Sequence, residues 1–172
     1  MKILYLLASL TFVFPFIGDS SDPIRTAGDI GQIASPLYGL YLTYDNSDTE
    51  GRTQFFKSSV ATVLTTHLLK QTIEKPRPDG TNNNSFPSGH TSAAFSGATF
   101  IHQRYGFNKA WPAYVVASFV GYSRVYAKKH YWEDVLAAAI LAGINSWLFT
   151  SPLLENADAS IQKNKINLEF QF

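Results

Sequence analysis

The sequence predicts an all-α protein, built as a single-domain helical bundle of about five to six helices with a short C-terminal strand-like tail. Its 172 residues fit one domain that is large enough to bury one substantial core. Apolar residues recur at helical spacing in several segments, and polar segments with Gly and Pro separate them. Short connections of this kind make neighbouring helices antiparallel, as in a bundle.

The first twenty residues have the composition of an export signal. Lys2 precedes an apolar run over residues 3–17, and Gly18 begins a short polar exit. This order is typical of a secretory signal peptide, although the same run would also serve as a retained N-terminal anchor. Both alternatives put the body of the chain, residues 21–172, in the periplasm or cell envelope, and both leave attachment to a membrane surface open.

Apolar spacing predicts the first two helices of the body. Ile30 and Tyr44 begin and end one apolar series, and a polar segment at residues 45–50 terminates it. The second helix is expected over residues 51 to about 73, with Lys70 near its C-terminal end. Each of these two segments therefore supplies one helix to the bundle.

The second half of the chain continues with a loop and further helices. Residues 75–87 contain three prolines, one glycine and three consecutive asparagines, a composition that predicts a loop. Pro112 suits the first turn of a helix. Three further helices are expected, over residues 88 to about 104, about 110 to 127, and about 130 to 150. Apolar and polar residues alternate over 166–172, which is strand periodicity.

Bulk composition argues against several classes of function. A net charge of +1 gives no global attraction for nucleic acid, so no nucleic-acid partner is expected. The absence of cysteine excludes disulfides and thiol chemistry. A mean hydropathy of −0.05 favours a soluble or peripherally attached envelope domain. Trp111, Trp132 and Trp147 are of the type that anchors proteins at membrane interfaces, but they are interpreted as ordinary core aromatics.

Three short stretches carry side chains suited to binding and attacking an anion. They are Lys70 with Arg77-Pro78, then Pro87-Ser88-Gly89-His90, and then Ser123-Arg124 with His130 and Asp134. Lysine and arginine bind phosphate oxygens, and a helix that begins at Ser88-Gly89 would add backbone N–H groups. A carboxylate four residues after His130 on one helix face would fix the imidazole tautomer. The set indicates phosphoryl transfer through a histidine.

Taken together, the three stretches resemble the signature of the type 2 phosphatidic acid phosphatase superfamily. That superfamily also includes class A bacterial acid phosphatases and vanadium haloperoxidases. Its pattern is Lys, six residues and Arg-Pro, then Pro-Ser-Gly-His, then Ser-Arg, five residues, His, three residues and Asp. Every one of these positions is matched between residues 70 and 134.

The resemblance implies a role for each matched residue. His130 would be the nucleophile, His90 the general acid and then the general base, and Asp134 the carboxylate that orients His130. Phosphate binding is carried over to the remaining positions, which are Lys70, Arg77, Ser88, Gly89 and Arg124. The expected activity is hydrolysis of phosphomonoesters or diphosphates, either phosphorylated lipids or small phosphoesters, without a metal or other cofactor and with a bell-shaped pH dependence.

Several alternatives stay open. A histidine and an aspartate four residues apart can ligate zinc, although three nearby cations disfavour a divalent metal. Vanadate held in the same pocket would give a haloperoxidase, and a pocket without turnover would give a phosphate- or lipid-binding envelope protein. The sequence identifies neither the phosphorylated substrate nor the oligomeric state.

Overall fold

A computed structural model describes residues 22–153, which form five α-helices. Their bounds are α1 Pro23–Asp45, α2 Thr49–Thr72, α3 Gly89–Tyr105, α4 Phe107–Tyr126 and α5 Trp132–Phe149. Over this part of the chain, β-pairing is limited to one isolated bridge between Lys75 and Asn84. The prediction of an all-α bundle is confirmed. The expected export segment and the strand-like tail lie outside the described residues.

Helix α3 is the centre of the bundle, because it packs against all four other helices. The outer helices follow one another around it in the order α4, α1, α2 and α5. Phe100 and Ile101 of α3 are fully buried, and the Phe100 ring meets the ring of Phe55 from α2 edge to face. Gly97 lies against α1 so closely that a methyl group there would clash with the backbone of Ser35 and Pro36.

Two helix starts differ from the prediction. Helix α1 begins at Pro23 rather than near Ile30, because the Asp22 carboxylate accepts hydrogen bonds from the first free backbone N–H groups. Helix α4 begins at Phe107, so Pro112 lies inside the helix and not in its first turn. The reason is Gly106, whose φ of 85° lets a single residue end α3 and begin α4.

Large apolar side chains of the four outer helices face outward. The exposed fraction is 59% for both Ile30 and Leu37 of α1. The buried positions of α1 and α2 are mostly small or polar, as at Gly31, Ser35 and Thr62. We call the outward residues the outer apolar surface, which includes Ile30, Leu37, Phe56, Leu68, Trp111, Val115, Leu136 and Ile140.

The tryptophans belong to the same exposed set. Trp111, Trp132 and Trp147 are each more than half exposed, so their interpretation as core aromatics is wrong. No helix within residues 22–153 combines the length and the apolar character that crossing a membrane requires.

The two ends of the bundle have different chemistry. At one end, the Arg104 guanidinium donates two hydrogen bonds of 2.7 Å to the buried Asp48 carboxylate and a third to the Ser151 carbonyl. This contact ties α3 to the turn between α1 and α2 and to the segment after α5. The loop over 73–88 covers the opposite end, where the residues of the predicted signature lie.

Candidate active site

His130 lies two residues before the start of α5, and its ring is buried against the loop over 73–88. The Nδ1 atom is 2.6 Å from the backbone oxygen of Ser85 and 3.9 Å from Oδ2 of Asp134. Because a carbonyl oxygen can only accept, Nδ1 carries the proton and Nε2 keeps its lone pair. The expectation that His130 and Asp134 project from one helix face is wrong, since α5 begins only at Trp132.

Asp134 reaches His130 indirectly, through Ser85. The fully buried carboxylate accepts hydrogen bonds from the Ser85 hydroxyl at 2.5 Å, from Lys75 Nζ at 2.6 Å and from the Tyr131 backbone N–H at 2.9 Å. Burial would raise the pKa of Asp134, but its contacts with His130, Lys75 and Ser85 hold that pKa well below its usual range. The carboxylate is therefore charged, and it anchors the residue whose carbonyl orients the imidazole.

No motif of the sequence points to Lys75 or Ser85. Both lie in spacers of the signature, where no residue type is specified. The backbone N–H of Ser85 donates to the Lys75 carbonyl, and the Lys75 ammonium lies 4.7 Å from the centre of the Tyr131 ring. Only the folded loop brings the two side chains to Asp134, so spacing alone could not identify them.

His90 and Arg124 meet at a second buried carboxylate, which comes from α1. Oδ1 of Asp29 is 2.5 Å from Nη1 of Arg124 and 2.9 Å from Nε2 of His90. The histidine contact is close but lacks the alignment of a hydrogen bond. Arg124 also donates to the Arg25 carbonyl and to the Ser123 hydroxyl. Asp29 precedes the first signature residue by some forty positions, and no sequence pattern singles it out.

Arg77 brings positive charge toward both histidines, and Lys70 brings it toward His130. Lys70 Nζ donates to the Asn84 carbonyl, and Arg77 Nε donates to the Asn82 side-chain oxygen. The charge of Arg77 lowers the pKa of His90 and of His130, so its guanidinium lies within electrostatic range of both rings.

The N-terminus of α3 faces the same region. Ser88 is the N-cap of α3, its hydroxyl oxygen accepts from the Thr91 hydroxyl, and its backbone N–H donates to the Asp134 carbonyl. A methyl group at Gly89 would lie 3.7 Å from Cε of Lys70, so the lysine stem passes close to this helix end. The structure thus gathers all eight predicted site residues at one end of the bundle.

Burial and positive neighbours keep the imidazoles neutral. Burial lowers the pKa of His130 to about 4, and the charges of Lys70 and Arg77 act in the same direction. Burial also lowers the pKa of His90, with Arg124 and Arg77 adding to the effect and Asp29 opposing it. The pKa of Lys70 falls to about 8 for the same reasons, namely burial and the proximity of Arg77. An anion bound among these groups would raise all three pKa values.

A family model described as the PAP2 superfamily matches residues 53–156, which is more than half of the chain. The chain belongs to the PAP2 superfamily. The match includes every residue of the signature, and it excludes Asp29. The PAP2 core of this chain therefore receives one carboxylate of its candidate active site from a helix that the family model does not cover.

Two bacterial lipid A phosphatases resemble this PAP2 protein in sequence. The identity to the Lipid A 1-phosphatase of Porphyromonas gingivalis is 44% over 86 residues, which cover 46% of this chain and 19% of that protein. The identity to the Lipid A 4'-phosphatase of Helicobacter pylori is 29% over 150 residues, which cover 83% of this chain and 66% of that protein. The chain thus spans less than two thirds of the length of either relative.

A solved structure shares the fold. The crystal structure of Aquifex aeolicus LpxE superposes with a TM-score of 0.61 at 20% identity, covering 83% of this chain and 92% of that chain. This likeness shows that the PAP2 helical fold extends beyond the signature to most of the bundle.

The acidic and imidazole groups of this PAP2 site do not form a metal-ligand cluster. Within residues 22–153, no three His, Cys, Asp or Glu side chains are grouped so that they could hold a metal ion. The carboxylates of Asp29 and Asp134 are instead engaged by arginine and lysine. Such an environment suits an anion better than a divalent cation.

Proposed function

We propose that this PAP2 protein is a metal-independent phosphatase that hydrolyses phosphorylated lipids through a phosphohistidine on His130. The observation that carries the proposal is the state of that ring. His130 is buried, its low pKa keeps it neutral, and the Ser85 carbonyl holds Nδ1 so that Nε2 has the free lone pair. A neutral imidazole with one committed nitrogen is what nucleophilic attack on phosphorus requires.

The reaction takes place in two balanced steps. In the first, Nε2 of His130 bonds to phosphorus while the bond to the leaving oxygen breaks, and His90 donates a proton to that oxygen. In the second, water attacks phosphorus, His90 takes the water proton, and the P–N bond breaks to release inorganic phosphate. Lys70, Arg77 and Arg124, together with backbone N–H groups at Gly89, bind the phosphoryl oxygens in both steps.

His90 must be protonated to act first as an acid. Burial and two arginines lower its pKa in the protein alone. A phosphomonoester carries close to two negative charges at neutral pH, and those charges favour the imidazolium form of a neighbouring histidine. Substrate binding therefore supplies the charge that protonates His90.

Two observations support a lipid substrate and a membrane-associated location. Both relatives described above are lipid A phosphatases, so we propose a phosphorylated glycolipid such as lipid A as the first substrate to test. The outer apolar surface would contact acyl chains, because exposed apolar patches on this scale mark interaction sites. Export to the periplasm, with residues 21–172 as the phosphatase domain, stays part of the proposal and depends on residues 1–20.

Hydrolysis by purified wild type and by the His130→Ala variant tests this proposal. Wild type should release inorganic phosphate from an aryl phosphate and from a phosphorylated lipid in mixed micelles, and should do so in excess chelator. His130→Ala should reduce turnover by at least about 10³-fold. The matched control is His102→Ala, which changes an exposed histidine of α3 that contacts Tyr114.

Trapping the intermediate separates this mechanism from the alternatives. A substrate labelled in its phosphoryl group should leave an acid-labile label on wild type and none on His130→Ala. Full activity of His130→Ala, or loss of wild-type activity in chelator, would refute the mechanism. Halide oxidation by added hydrogen peroxide in the presence of vanadate would favour a haloperoxidase, and anion binding without turnover would favour a binding protein.

A further inference from the structure

Asp29 provides a buried carboxylate beside His90, as Asp134 does near His130. It is 2% exposed, and a single carboxylate oxygen contacts both Arg124 and His90. Burial would raise the pKa of Asp29, but the contacts with His90 and Arg124 lower it below its usual value, so the carboxylate is charged. The site therefore contains one buried negative charge for each of its two imidazoles.

The charges that face His90 come from three parts of the fold. Asp29 contributes a negative charge from α1, while Arg124 of α4 and Arg77 of the 73–88 loop contribute positive charges. Next to Arg124, Arg25 adds a positive charge and Asp22 a negative one. Without Asp29, the main charges acting on His90 within residues 22–153 would be those of Arg124 and Arg77, and a cationic imidazolium there would be strongly disfavoured.

The carboxylate at the other end of the bundle shows what a purely structural pair looks like. Both oxygens of Asp48 are hydrogen-bonded, to Arg104, to the Tyr105 hydroxyl and to the Gly51 backbone N–H. Asp29 uses Oδ1 alone, and its buried Oδ2 has no hydrogen-bond partner among the residues that the structure describes. An under-satisfied buried carboxylate calls for an explanation other than helix docking.

We propose that Asp29 is the positioning residue of His90: it holds the ring beside the phosphoryl site and offsets the charge of Arg124, so that His90 can take up, when substrate binds, the proton it gives to the leaving oxygen. This inference rests on the proposed function, because the acid role of His90 belongs to that function. Asp29 stays ionised throughout and transfers no proton. The Nε2–Oδ1 contact is close but is not an aligned hydrogen bond, and Nε2 itself is buried.

The test compares two substrates that differ in their need for an acid. A 4-nitrophenyl phosphate has a good leaving group and needs little protonation, whereas an alkyl phosphate needs the full proton transfer. Asp29→Asn should lower kcat/KM for the alkyl phosphate by at least about tenfold more than for the nitrophenyl ester. Because activity falls as pH rises through the pKa of the acid, the alkaline limb of the profile should move to lower pH.

Asp48→Asn is the matched control, since it removes the same charge from the buried ion pair between Asp48 and Arg104, which lies far from His90 and His130. It should lower the melting temperature while the ratio of the two substrates and the alkaline limb stay as in wild type. Asp29→Glu keeps the charge and should recover part of the wild-type ratio. If Asp29→Asn does not fold, Asp29→Glu is compared with wild type instead. Because its carboxylate is displaced by one methylene, it should give a smaller change in the substrate ratio and a smaller shift of the alkaline limb.

An NMR titration of the His90 ring separates failure of this inference from failure of the proposed function. The His90 signal is assigned by its loss in His90→Gln, and its pKa should be lower in Asp29→Asn than in wild type whether or not the protein turns over substrate. An unchanged His90 titration, or equal losses on both substrates with an unmoved alkaline limb, would overturn the role of Asp29.

Discussion

The main-chain carbonyl of Ser85 accepts a hydrogen bond from the His130 ring, so Ser85 is the main residue that orients this imidazole. The Ser85 side chain hydrogen-bonds to Asp134, while its backbone oxygen accepts from the imidazole. The motif spacing correctly identified His130 and Asp134 as near neighbours, but it could not reveal the residue between them. Direct contact would have required α5 to begin before His130, and it begins at Trp132 instead.

Removing the Ser85 hydroxyl should therefore weaken catalysis without removing a reacting group. We expect Ser85→Ala to lower kcat by about tenfold with little change in KM, because the carbonyl stays but loses its anchor on Asp134. Steady-state kinetics on an aryl phosphate measures this. Ser58→Ala is the control, since it removes another buried hydroxyl, which donates to the Phe55 carbonyl within α2. Equal kinetics for the two variants would argue against the role of Ser85.

The low pKa of His130 also predicts how stability depends on pH. The folded protein resists protonation of this ring until about pH 4, whereas the unfolded chain takes up the proton near pH 6.5. The unfolded state then binds more protons between these values, so stability is lost as pH falls from 6.5 to 4. Over this pH range, His130 lowers the free energy of unfolding by about 3 kcal/mol.

Urea unfolding of wild type and His130→Gln between pH 4.5 and 7 measures this contribution. The wild-type free energy of unfolding should fall more steeply with acid than that of the variant, because the variant has no ring to protonate at residue 130. Parallel curves would show that the buried ring does not control the acid sensitivity.

At the scale of the elements, the site depends on how closely α1 approaches α3. Glycine at residue 97 permits this approach, and Asp29 reaches His90 from the same helix. Apolar periodicity predicts that α1 exists but gives no information about which of its residues is buried. Asp29 therefore could not be recognised from the sequence, since its function depends on a helix contact made by small residues.

We expect Gly97→Ala to destabilise the protein by about 1–3 kcal/mol, because the added methyl group meets the backbone of Ser35 and Pro36, which cannot move independently. The displaced α1 should also lower kcat on alkyl phosphates. Chemical unfolding and kinetics measure the two effects.

Gly143→Ala in α5 provides the control for this substitution. Its methyl group would meet only Thr99 Cγ2, at 4.0 Å, and should be neutral or stabilise the helix by up to about 1 kcal/mol. A Gly97→Ala variant as stable as the Gly143→Ala variant would contradict the close contact between α1 and α3.

For the whole molecule, the apolar residues that predict the helices are largely those that the bundle does not bury. Periodicity correctly predicts α2 and α5 to within a few residues, because it detects a helix with one apolar face. It does not say whether that face meets protein or another apolar phase. The interior can be built from small and polar residues around α3 because helices pack closely through them, which leaves Leu136, Ile140 and Ile144 outside.

The outer apolar surface predicts that the protein binds phospholipid membranes, and this prediction is independent of the catalytic residues. We expect the double substitution Ile140→Gln with Ile144→Gln to reduce co-sedimentation with phospholipid vesicles, because both side chains are more than half exposed and glutamine interacts poorly with acyl chains. Activity on a micellar phosphorylated lipid should fall. Activity on a soluble aryl phosphate should stay within about twofold of wild type, since neither residue lies at the end of the bundle that holds the candidate active site.

Lys109→Gln, which changes an exposed residue of α4, is the control and should alter neither vesicle binding nor activity on the micellar lipid. Equal vesicle binding by wild type and the double variant would show that this part of the outer apolar surface does not contact lipid, and loss of aryl phosphate hydrolysis would show that the substitutions act through the fold instead.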